Sequence, residues 1–444
     1  MNGASTKRVA VFLAYWELIS VLSNTVKLLN DHDYEVDLFL YRNHLFVETE
    51  SLKERAGVTV HDLGPAVETA TPPAENHVHN GSTNGGSGWL PSSRRFVRAL
   101  TSRARHVLWG TKHAYLHLCG SDKGIIPESL IAQTIAIMRG KQYQCLIGIE
   151  KSGLIWAGHV AAMLRLPFFY YSLELYNADY IRLGLQRTFW FKHLWGAERR
   201  FHRKAAGTIV QDSERARVLF EGNGVPLSGA NIAYLPVSIL GTPYTKRSSF
   251  LHETLGIPRE KPIVLYFGHI RERRYALDLA RVAQDAPGNW VLVMHGFSTP
   301  ETIEKIKSAN VRNRVFLSLE TVPSDRIQEV IASADIGLAM YSPLTDNERL
   351  TAFSSEKMAL YMQCGVPFIA FDYPGYQRLA DDDRCGVAIR SVAELPEAVS
   401  TILGSYEEFR QQAYRTFHKH YDFAANFAGI AKTFAAVWNS AADN

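Results

Sequence analysis

Two serines and a lysine stand together in the run Ser354-Ser355-Glu356-Lys357, at the start of a short apolar stretch with helical spacing. The first N–H groups of a helix lack partners within the helix and carry a partial positive charge, so they favour a bound anion. The serine hydroxyls can add donors, and Lys357 adds a full positive charge. The run therefore predicts a phosphate or diphosphate site, with an ordinary serine N-cap as the simpler alternative.

A glycine and a cluster of arginines follow an apolar, strand-like run that ends at Phe267. Gly268 lets a ligand approach the backbone, and arginine binds phosphate oxygens through paired hydrogen bonds. Two later strand ends add a His-Gly step and a glutamate that could meet a base or a ribose. The predicted residues of a nucleotide-phosphate site are Gly268, His269, Arg271, Arg273, Arg274, His295, Gly296, Glu320, Ser354, Ser355, Glu356 and Lys357. A solvated basic loop is the alternative interpretation of the arginines.

Apolar, β-branched runs alternate with amphipathic helical segments in two rounds along the chain of 444 residues. This alternation is typical of parallel sheets covered by helices on both faces, where ligands bind at the carboxyl ends of the strands. The strands are expected at 8–14, 35–41, 143–149, 167–172, 208–210, 262–267, 290–294, 314–317, 335–340 and 366–371.

The length also exceeds what one hydrophobic core usually fills. We therefore expect an α/β chain with two Rossmann-like domains that face each other across a cleft. The expected bounds are 1–238 for the first domain and 239–404 for the second. Amphipathic helices in 405–444 are expected to cross between both domains.

Composition narrows the class of protein. Hydrophobic residues make up 46% and charged residues 21%, which is ordinary for a globular protein, and a net charge of +4 gives no footprint for nucleic acid. The four cysteines show no metal-ligand spacing, so we expect reduced thiols and no metal site. The N-terminus shows no secretory signal, and no apolar run reaches the ~20 residues of a membrane span. These features favour the cytoplasm as the protein's location.

One stretch interrupts the alternation. Residues 64–93 are rich in Gly, Pro, Ser, Asn and His and predict a flexible loop, and a basic amphipathic insertion follows at 94–118. We expect the insertion to contact the inner face of an anionic membrane or a lipid-linked acceptor. The contact residues would be Arg94, Arg95, Arg98, Arg103, Arg105 and Trp109. The alternative is a solvated basic helix that packs its apolar stripe on its own domain.

The second half of the chain resembles the donor domain of GT-B glycosyltransferases, most closely bacterial retaining members of the family-4 and family-1 type. The resemblance rests on the strand-Gly-basic loop at 267–274, the Ser-Ser-x-Lys helix and Cys-Gly-x-Pro turn at 354–367, and the step into a strand at 332–338. It covers residues 230–400 well and the first half more loosely. It implies a nucleotide-sugar donor in the second domain and an acceptor in the first.

The resemblance implies sugar transfer, without a metal ion or other cofactor, from a UDP- or GDP-sugar to a hydroxyl of a glycan, a lipid-linked acceptor or a small molecule. The helix N-terminus, Arg274 and Lys357 would meet the negative charge that builds on the leaving diphosphate. Glu150 and Glu174 follow strands of the first domain and could act as base or acceptor ligands. Each of these two glutamates could equally be a salt-bridge partner.

The sequence departs from the family pattern at two places. Retaining members often carry two glutamates separated by seven residues, where this chain has Ala352 and Leu360; Glu348 and Glu356 have the same gap in another frame, which we interpret as a coincidence. After the first strand, the run Ala14-Tyr15-Trp16-Glu17 stands where family members often have a glycine-rich loop. Two alternatives therefore stay open, a non-catalytic partner protein of another transferase and a nucleotide-sugar epimerase.

Overall fold

The computed structural model describes residues 7–15, 20–41, 49–64, 110–175, 182–184 and 188–442. The predicted loop beyond residue 64 lies outside these ranges. So do the predicted contact residues Arg94, Arg95, Arg98, Arg103, Arg105 and Trp109.

Seven parallel strands form the sheet of the first domain, in the order β3-β2-β1-β4-β5-β6-β7. The strands are β1 (Lys7–Ala14), β2 (Tyr34–Tyr41), β3 (Val58–Asp62), β4 (Cys145–Ile149), β5 (Phe168–Tyr171), β6 (Gly207–Val210) and β7 (Ile232–Tyr234). The helices are α1 (Ser20–Asp31), α2 (Thr49–Lys53), α3 (110–118), α4 (Glu128–Met138), α5 (Glu150–Leu164), α6 (Thr188–His202) and α7 (Ser213–Asn223). The central strands β4 and β5 are buried at every residue, as expected where helices cover both faces.

Six parallel strands form the second sheet, in the order β10-β9-β8-β11-β12-β13. The strands are β8 (Ile263–Phe267), β9 (Val291–His295), β10 (Val315–Ser318), β11 (Ile336–Ala339), β12 (Phe368–Phe371) and β13 (Gly386–Ile389). The helices are α8 (Phe250–Leu255), α9 (Ala276–Asp285), α10 (Pro300–Ala309), α11 (Ile327–Ile331), α12 (Asp346–Arg349), α13 (Glu356–Gln363), α14 (Pro374–Asp381) and α15 (Leu395–Gly404). Short 3-10 turns occupy Glu272–Arg274, Ser324–Arg326 and Val392–Glu394.

The two sheets confirm the prediction of an α/β chain with two parallel-sheet domains, and they share one connectivity. β1 pairs with both β2 and β4, and β8 pairs with both β9 and β11. On the two sides of β1, and likewise of β8, the connections run toward opposite edges of the sheet. The loops therefore separate there, and a crevice opens at the carboxyl ends of the strands. The sequence missed β3, β7 and β13, which are short edge or near-edge strands without a long apolar run.

The chain crosses between the domains twice. It enters the second domain after β7, where the Val237 N–H donates to the Phe353 carbonyl at 2.8 Å. It returns after α16 (Tyr406–Thr416) and a π-helix (Phe417–Tyr421), when α17 (Phe423–Ala442) packs on the first sheet. The π-helix contributes Phe417 and Tyr421 to the apolar core of the second domain, whereas α17 contributes to that of the first. The expected crossing of the C-terminal helices is confirmed.

All four cysteines lie in the described ranges, and each is a free thiol. Cys145, Cys364 and Cys385 are buried free thiols, and Cys119 is an exposed one. No helix in these ranges has the length and apolar character needed to cross a bilayer.

Candidate functional site

The crevice of the second sheet brings together three loops that are distant in sequence. β8 ends at Phe267 and β11 at Ala339, and the loops that follow carry Arg274 and Tyr341. Helix α13 begins at Glu356 and presents Lys357 in its first turn. The site therefore forms where ligands bind in open parallel sheets.

Two cations share this crevice with two tyrosine rings. Lys357 Nζ lies 5.5 Å from the ring centre of Tyr266 and 5.1 Å from that of Tyr341, and Arg274 Cζ lies 5.1 Å from the Tyr341 ring. The negative face of an aromatic ring attracts a cation, but it cannot neutralise the charge. Within the described ranges, neither cation forms a salt bridge with a carboxylate. The pair therefore keeps a positive charge that no carboxylate of the described residues neutralises.

Burial disfavours the charged form of the lysine. Its removal from water, and then the positive charge of Arg274, lower the pKa of the Lys357 amine to about 7. Both causes disfavour the charged form. A bound diphosphate would oppose them and favour the protonated amine.

Two glycines shape the backbone of the loops beside the cations. A Cβ on Gly296, at φ 139°, would lie 2.0 Å from the Gly268 carbonyl oxygen, so no side chain fits there. Gly268 itself has φ 108° and open space where its Cβ would be. Its N–H donates to the His295 carbonyl at 2.9 Å, which joins the loops after β8 and β9. The open side of Gly268 leaves room for a ligand near the backbone.

Close to this loop, one carboxylate oxygen and one guanidinium nitrogen form no hydrogen bond with the described residues. Glu348 Oε1 accepts from Arg273 Nη2 at 2.9 Å, while its buried Oε2 has no hydrogen-bond partner among the described residues. The buried Nε of Arg274 is likewise unpartnered there. Buried polar atoms are normally hydrogen-bonded, so the unused acceptor and donor suit the hydroxyls and phosphate oxygens of a ligand.

The two serines before α13 do not act as a simple N-cap. Ser355 is the N-cap of α13, but its hydroxyl makes no capping bond and instead pairs with the Tyr341 hydroxyl at 2.7 Å. Ser354 Oγ donates to the Leu350 carbonyl at 3.0 Å and accepts from Arg215 at 3.0 Å. Glu356 accepts from Ser20, at the start of α1 in the first domain. The segment that precedes Lys357 is thus fixed by contacts to both domains.

The remaining predicted residues lie at varying distances from the cations. His269 and Arg271 are partly buried in the same loop as Arg274, and the His269 ring packs 4.2 Å from that of Phe297. His295 is buried, stacks on Phe267 and pairs with Ser318 Oγ at 2.9 Å, and burial lowers its pKa. Glu320 is exposed after β10, the edge strand, with β9 between it and β8. The structure therefore does not bring Glu320 to the cations.

The two glutamates of the first domain lie at the interface. Glu150 is buried with φ 56°, and its Oε1 accepts from the N–H groups of Leu173 at 2.6 Å and Glu174 at 2.8 Å. Burial raises the Glu150 pKa to about 7; the charge of Lys151 lowers it and that of Glu174 raises it. The Glu174 carboxylate accepts from Asn347 of the second domain. Glu174 therefore contacts the second domain directly, and Glu150 fixes the backbone beside it.

Sequence reasoning missed several residues that shape this site. Tyr266 and Tyr341 stand at or just beyond strand ends, a position that the alternating pattern could have indicated. Arg215 and Asn347 meet only when the two domains come together. Leu360 is buried in the apolar core of the second domain, so this position supplies no carboxylate to the site.

The second domain matches a known family. Residues 261–405 match the model of the family described as Glycosyl transferases group 1. No curated protein matches the sequence significantly.

Solved structures resemble the whole chain at low identity. Anabaena HepE in complex with UDP is 13% identical, with 97% of this chain and 100% of that chain covered and a TM-score of 0.65. Sucrose-phosphate synthase from Thermosynechococcus elongatus is 14% identical, with 98% and 100% covered and a TM-score of 0.60. A UDP-forming α,α-trehalose-phosphate synthase from Burkholderia vietnamiensis is 12% identical, with 98% and 100% covered and a TM-score of 0.57. The fold is therefore the two-domain GT-B fold.

The pKa of Lys357 predicts how stability depends on pH. Between the folded value of about 7 and the ordinary value of 10.5, the unfolded chain binds more protons, so this group makes stability rise with pH. Below this window the amine is charged in both states, so the full cost of burying its charge lowers the stability of the folded protein. Lys357→Met removes the titration and should raise the Tm more at about pH 6 than at about pH 9.

Differential scanning fluorimetry of both proteins at both pH values tests this expectation. Lys307→Met is the matched control, since Lys307 is exposed on α10 and pairs with Glu304. Equal gains in Tm for Lys357→Met at the two pH values would contradict the burial cost.

Proposed function

Since residues 261–405 form a Glycosyl transferases group 1 domain within a chain of GT-B fold, we propose that the protein transfers a sugar from a UDP-sugar to a hydroxyl acceptor. The observation that carries the proposal is the pair Lys357 and Arg274, held over tyrosine rings in the crevice without a carboxylate partner in the described chain. HepE, of the same fold, has been solved with UDP and with UDP-glucose, which supports UDP as the nucleotide.

The residues suit the charge that develops during transfer. As the bond from sugar to diphosphate breaks, negative charge grows on the leaving phosphate oxygens. Lys357, Arg274 and the first N–H groups of α13 face the place where that charge would lie. Preorganised donors of this kind are worth about 10²–10³ in rate each. Because two side-chain cations supply the positive charge, we propose transfer without a metal ion.

The acceptor would enter from the first domain, with a glycan, lipid-linked or small-molecule hydroxyl presented near Glu150 and Glu174. We propose retention of configuration on the basis of the family resemblance, which requires the acceptor on the same face of the sugar as the leaving phosphate. A partner protein that binds nucleotide without turnover is the alternative, favoured by Leu360 at the position of a usual glutamate. An epimerase is a further alternative, which would convert the donor without an acceptor.

Removal of either cation should weaken nucleotide binding while leaving the fold intact. Lys357→Ala and Arg274→Ala are each expected to raise the Kd for UDP about tenfold or more, since a hydrogen bond to a charged group contributes roughly 1.5–3 kcal/mol. Isothermal titration calorimetry with UDP, GDP and their sugars measures this and identifies the base.

The controls for these variants are exposed cations of the same domain, Lys307→Ala and Arg281→Ala. Unchanged affinity for every nucleotide in both site variants would remove the diphosphate site. Nucleotide release from a donor that depends on added acceptor would separate a transferase from an epimerase and from a partner protein.

Glu150 offers a test of the acceptor side. If its carboxylate acts as base or acceptor ligand, Glu150→Gln should lower kcat by about 10²–10⁴. The glutamine oxygen can still accept from Leu173 and Glu174, so the Tm should change little. Steady-state kinetics, with exposed Glu221→Gln as control, measures the effect. A kcat within a few-fold of wild type would leave Glu150 with its structural role alone.

We also propose a peripheral contact with an anionic membrane through the first domain. Within the predicted basic insertion at 94–118, α3 exposes Tyr115 (67%) and Leu118 (83%), and Phe189 is exposed at the start of α6. Leu118→Ser should lower co-sedimentation with phosphatidylglycerol vesicles at low salt, because apolar area buried in the interface is lost. Met163→Ser, at another exposed apolar residue, is the control. Wild-type protein that ignores these vesicles would contradict the proposal.

A further inference from the structure

Arg215 forms hydrogen bonds to both domains close to the two cations. We infer that it is a positioning residue: it holds the domains closed, and closure in turn helps to hold Lys357 in place. The part that concerns the donor rests on the proposed function. The part that concerns closure stands on the interface alone.

Arg215 is an unusual residue for its place in the helix. It lies in the first turn of α7, where its backbone N–H donates to the N-cap Asp212 at 2.9 Å. The first turn of a helix disfavours a positive charge. Its side chain is nonetheless only 1% exposed. A buried arginine stays charged and must be satisfied by hydrogen bonds, so its surroundings are under strong constraint.

The guanidinium has five N–H donors, and five hydrogen bonds use them. Two go to the first domain, from Nε to Gln211 Oε1 at 2.6 Å and from Nη2 to the Leu173 carbonyl at 2.5 Å. Three go to the second domain, to the Leu350 carbonyl at 3.0 Å, Ser354 Oγ at 3.0 Å and Asn347 Oδ1 at 3.1 Å. The cation is therefore shared almost equally between the domains.

Separation of the domains would break the three bonds to the second domain at once. The guanidinium cannot release its proton, so water would have to replace the lost acceptors. Hydrogen bonds to charged groups are stronger than neutral ones, which makes the closed arrangement favourable at this point. Arg215 thus acts as a latch between the two sheets.

The first-domain side of the latch is rigid. The Leu173 N–H donates to Glu150 at 2.6 Å, and Gln211 Nε2 donates to the Ser172 carbonyl at 2.7 Å. The loop after β5 is therefore fixed by contacts at both of its first residues. Asn347 extends the junction, because its Oδ1 also accepts from the Leu175 N–H at 2.9 Å.

The second-domain side leads directly to the cation site. Ser354 accepts from Arg215, and two residues later Glu356 accepts from Ser20 of the first domain. The first domain therefore holds the segment before Lys357 from both ends. When the domains part, both contacts are lost, and the start of α13 is no longer fixed from that side. The distance between Lys357 and Arg274 then depends on the second domain alone.

The decisive variant is Arg215→Ala, with Arg217→Ala as the matched control on the same helix. Arg217 is half-exposed and pairs only along its own helix with Glu214 and Glu221 among the described residues. Small-angle X-ray scattering gives the radius of gyration with and without UDP, and calorimetry gives the Kd for UDP. Circular dichroism reports whether each variant is folded.

We expect unliganded Arg215→Ala to have a larger radius of gyration than wild type and to contract when UDP is added. Its Kd for UDP should rise about tenfold, the equivalent of one lost charge-assisted hydrogen bond. Arg217→Ala should match wild type in both measurements. A folded Arg215→Ala with an unchanged radius and a Kd equal to that of Arg217→Ala would overturn the inference.

The link to Lys357 has its own test in a double-mutant cycle. The effect of Arg215→Ala on the Kd for UDP should be smaller in a Lys357→Ala background than in wild type. Equal effects in the two backgrounds would overturn the link.

If Arg215→Ala does not fold, two other variants keep the arginine and remove its acceptors in the second domain, Asn347→Ala and Ser354→Ala. Unchanged radii of gyration in both variants would then overturn the latch.

The two proposals fail in distinguishable ways. Wild-type protein that binds no nucleoside diphosphate would end the donor proposal. The radius of gyration of unliganded Arg215→Ala against that of Arg217→Ala would still decide whether Arg215 holds the domains together.

Discussion

The arrangement depends on two like charges being kept together in a partly dry crevice. Burial removes Lys357 from water and the charge of Arg274 repels it, and together they lower the pKa of the lysine to about 7. Tyrosine rings and the packed core around α13 hold the pair without removing its positive potential. Keeping the two cations together therefore costs stability. An anion bound between them, as the proposed function requires, would offset that cost.

The sequence can indicate most residues of the candidate site in the second domain, because its parts are short local patterns. Gly268 and Arg274 follow one strand, and Ser355 and Lys357 open one helix. The place of Glu320 relative to the cations could not be predicted, because strand order cannot be read from strand sequence, and β10 is the edge strand of the second sheet. The spacing of Glu348 and Glu356 matches the family gap only in another frame, yet the structure leaves one buried oxygen of Glu348 without a partner among the described residues. Sequence spacing carries no information on which buried atoms find a hydrogen-bond partner.

Arg215 shows why the junction between the domains could not be predicted. On an amphipathic helix it has the same sequence signature as Arg217, which is half-exposed. Only the approach of Leu350 and Asn347 from the other domain makes it a buried, fully used donor. Glu150 is similar, since its left-handed backbone and its two backbone partners follow from the meeting of β4 and β5. The bonds of Arg215 to the second domain join residues more than a hundred positions apart, which sequence patterns do not connect.

The return of α17 to the first sheet has a consequence for the order in which the protein can be made. Phe423, Phe427, Ile430 and Phe434 complete the apolar core of the first domain, although the chain reaches them only after the whole second domain. The usual sequence, in which an N-terminal domain folds during synthesis before the next one emerges, is not open to this chain. The first sheet must wait, with part of its apolar face uncovered, until the whole second domain has been translated.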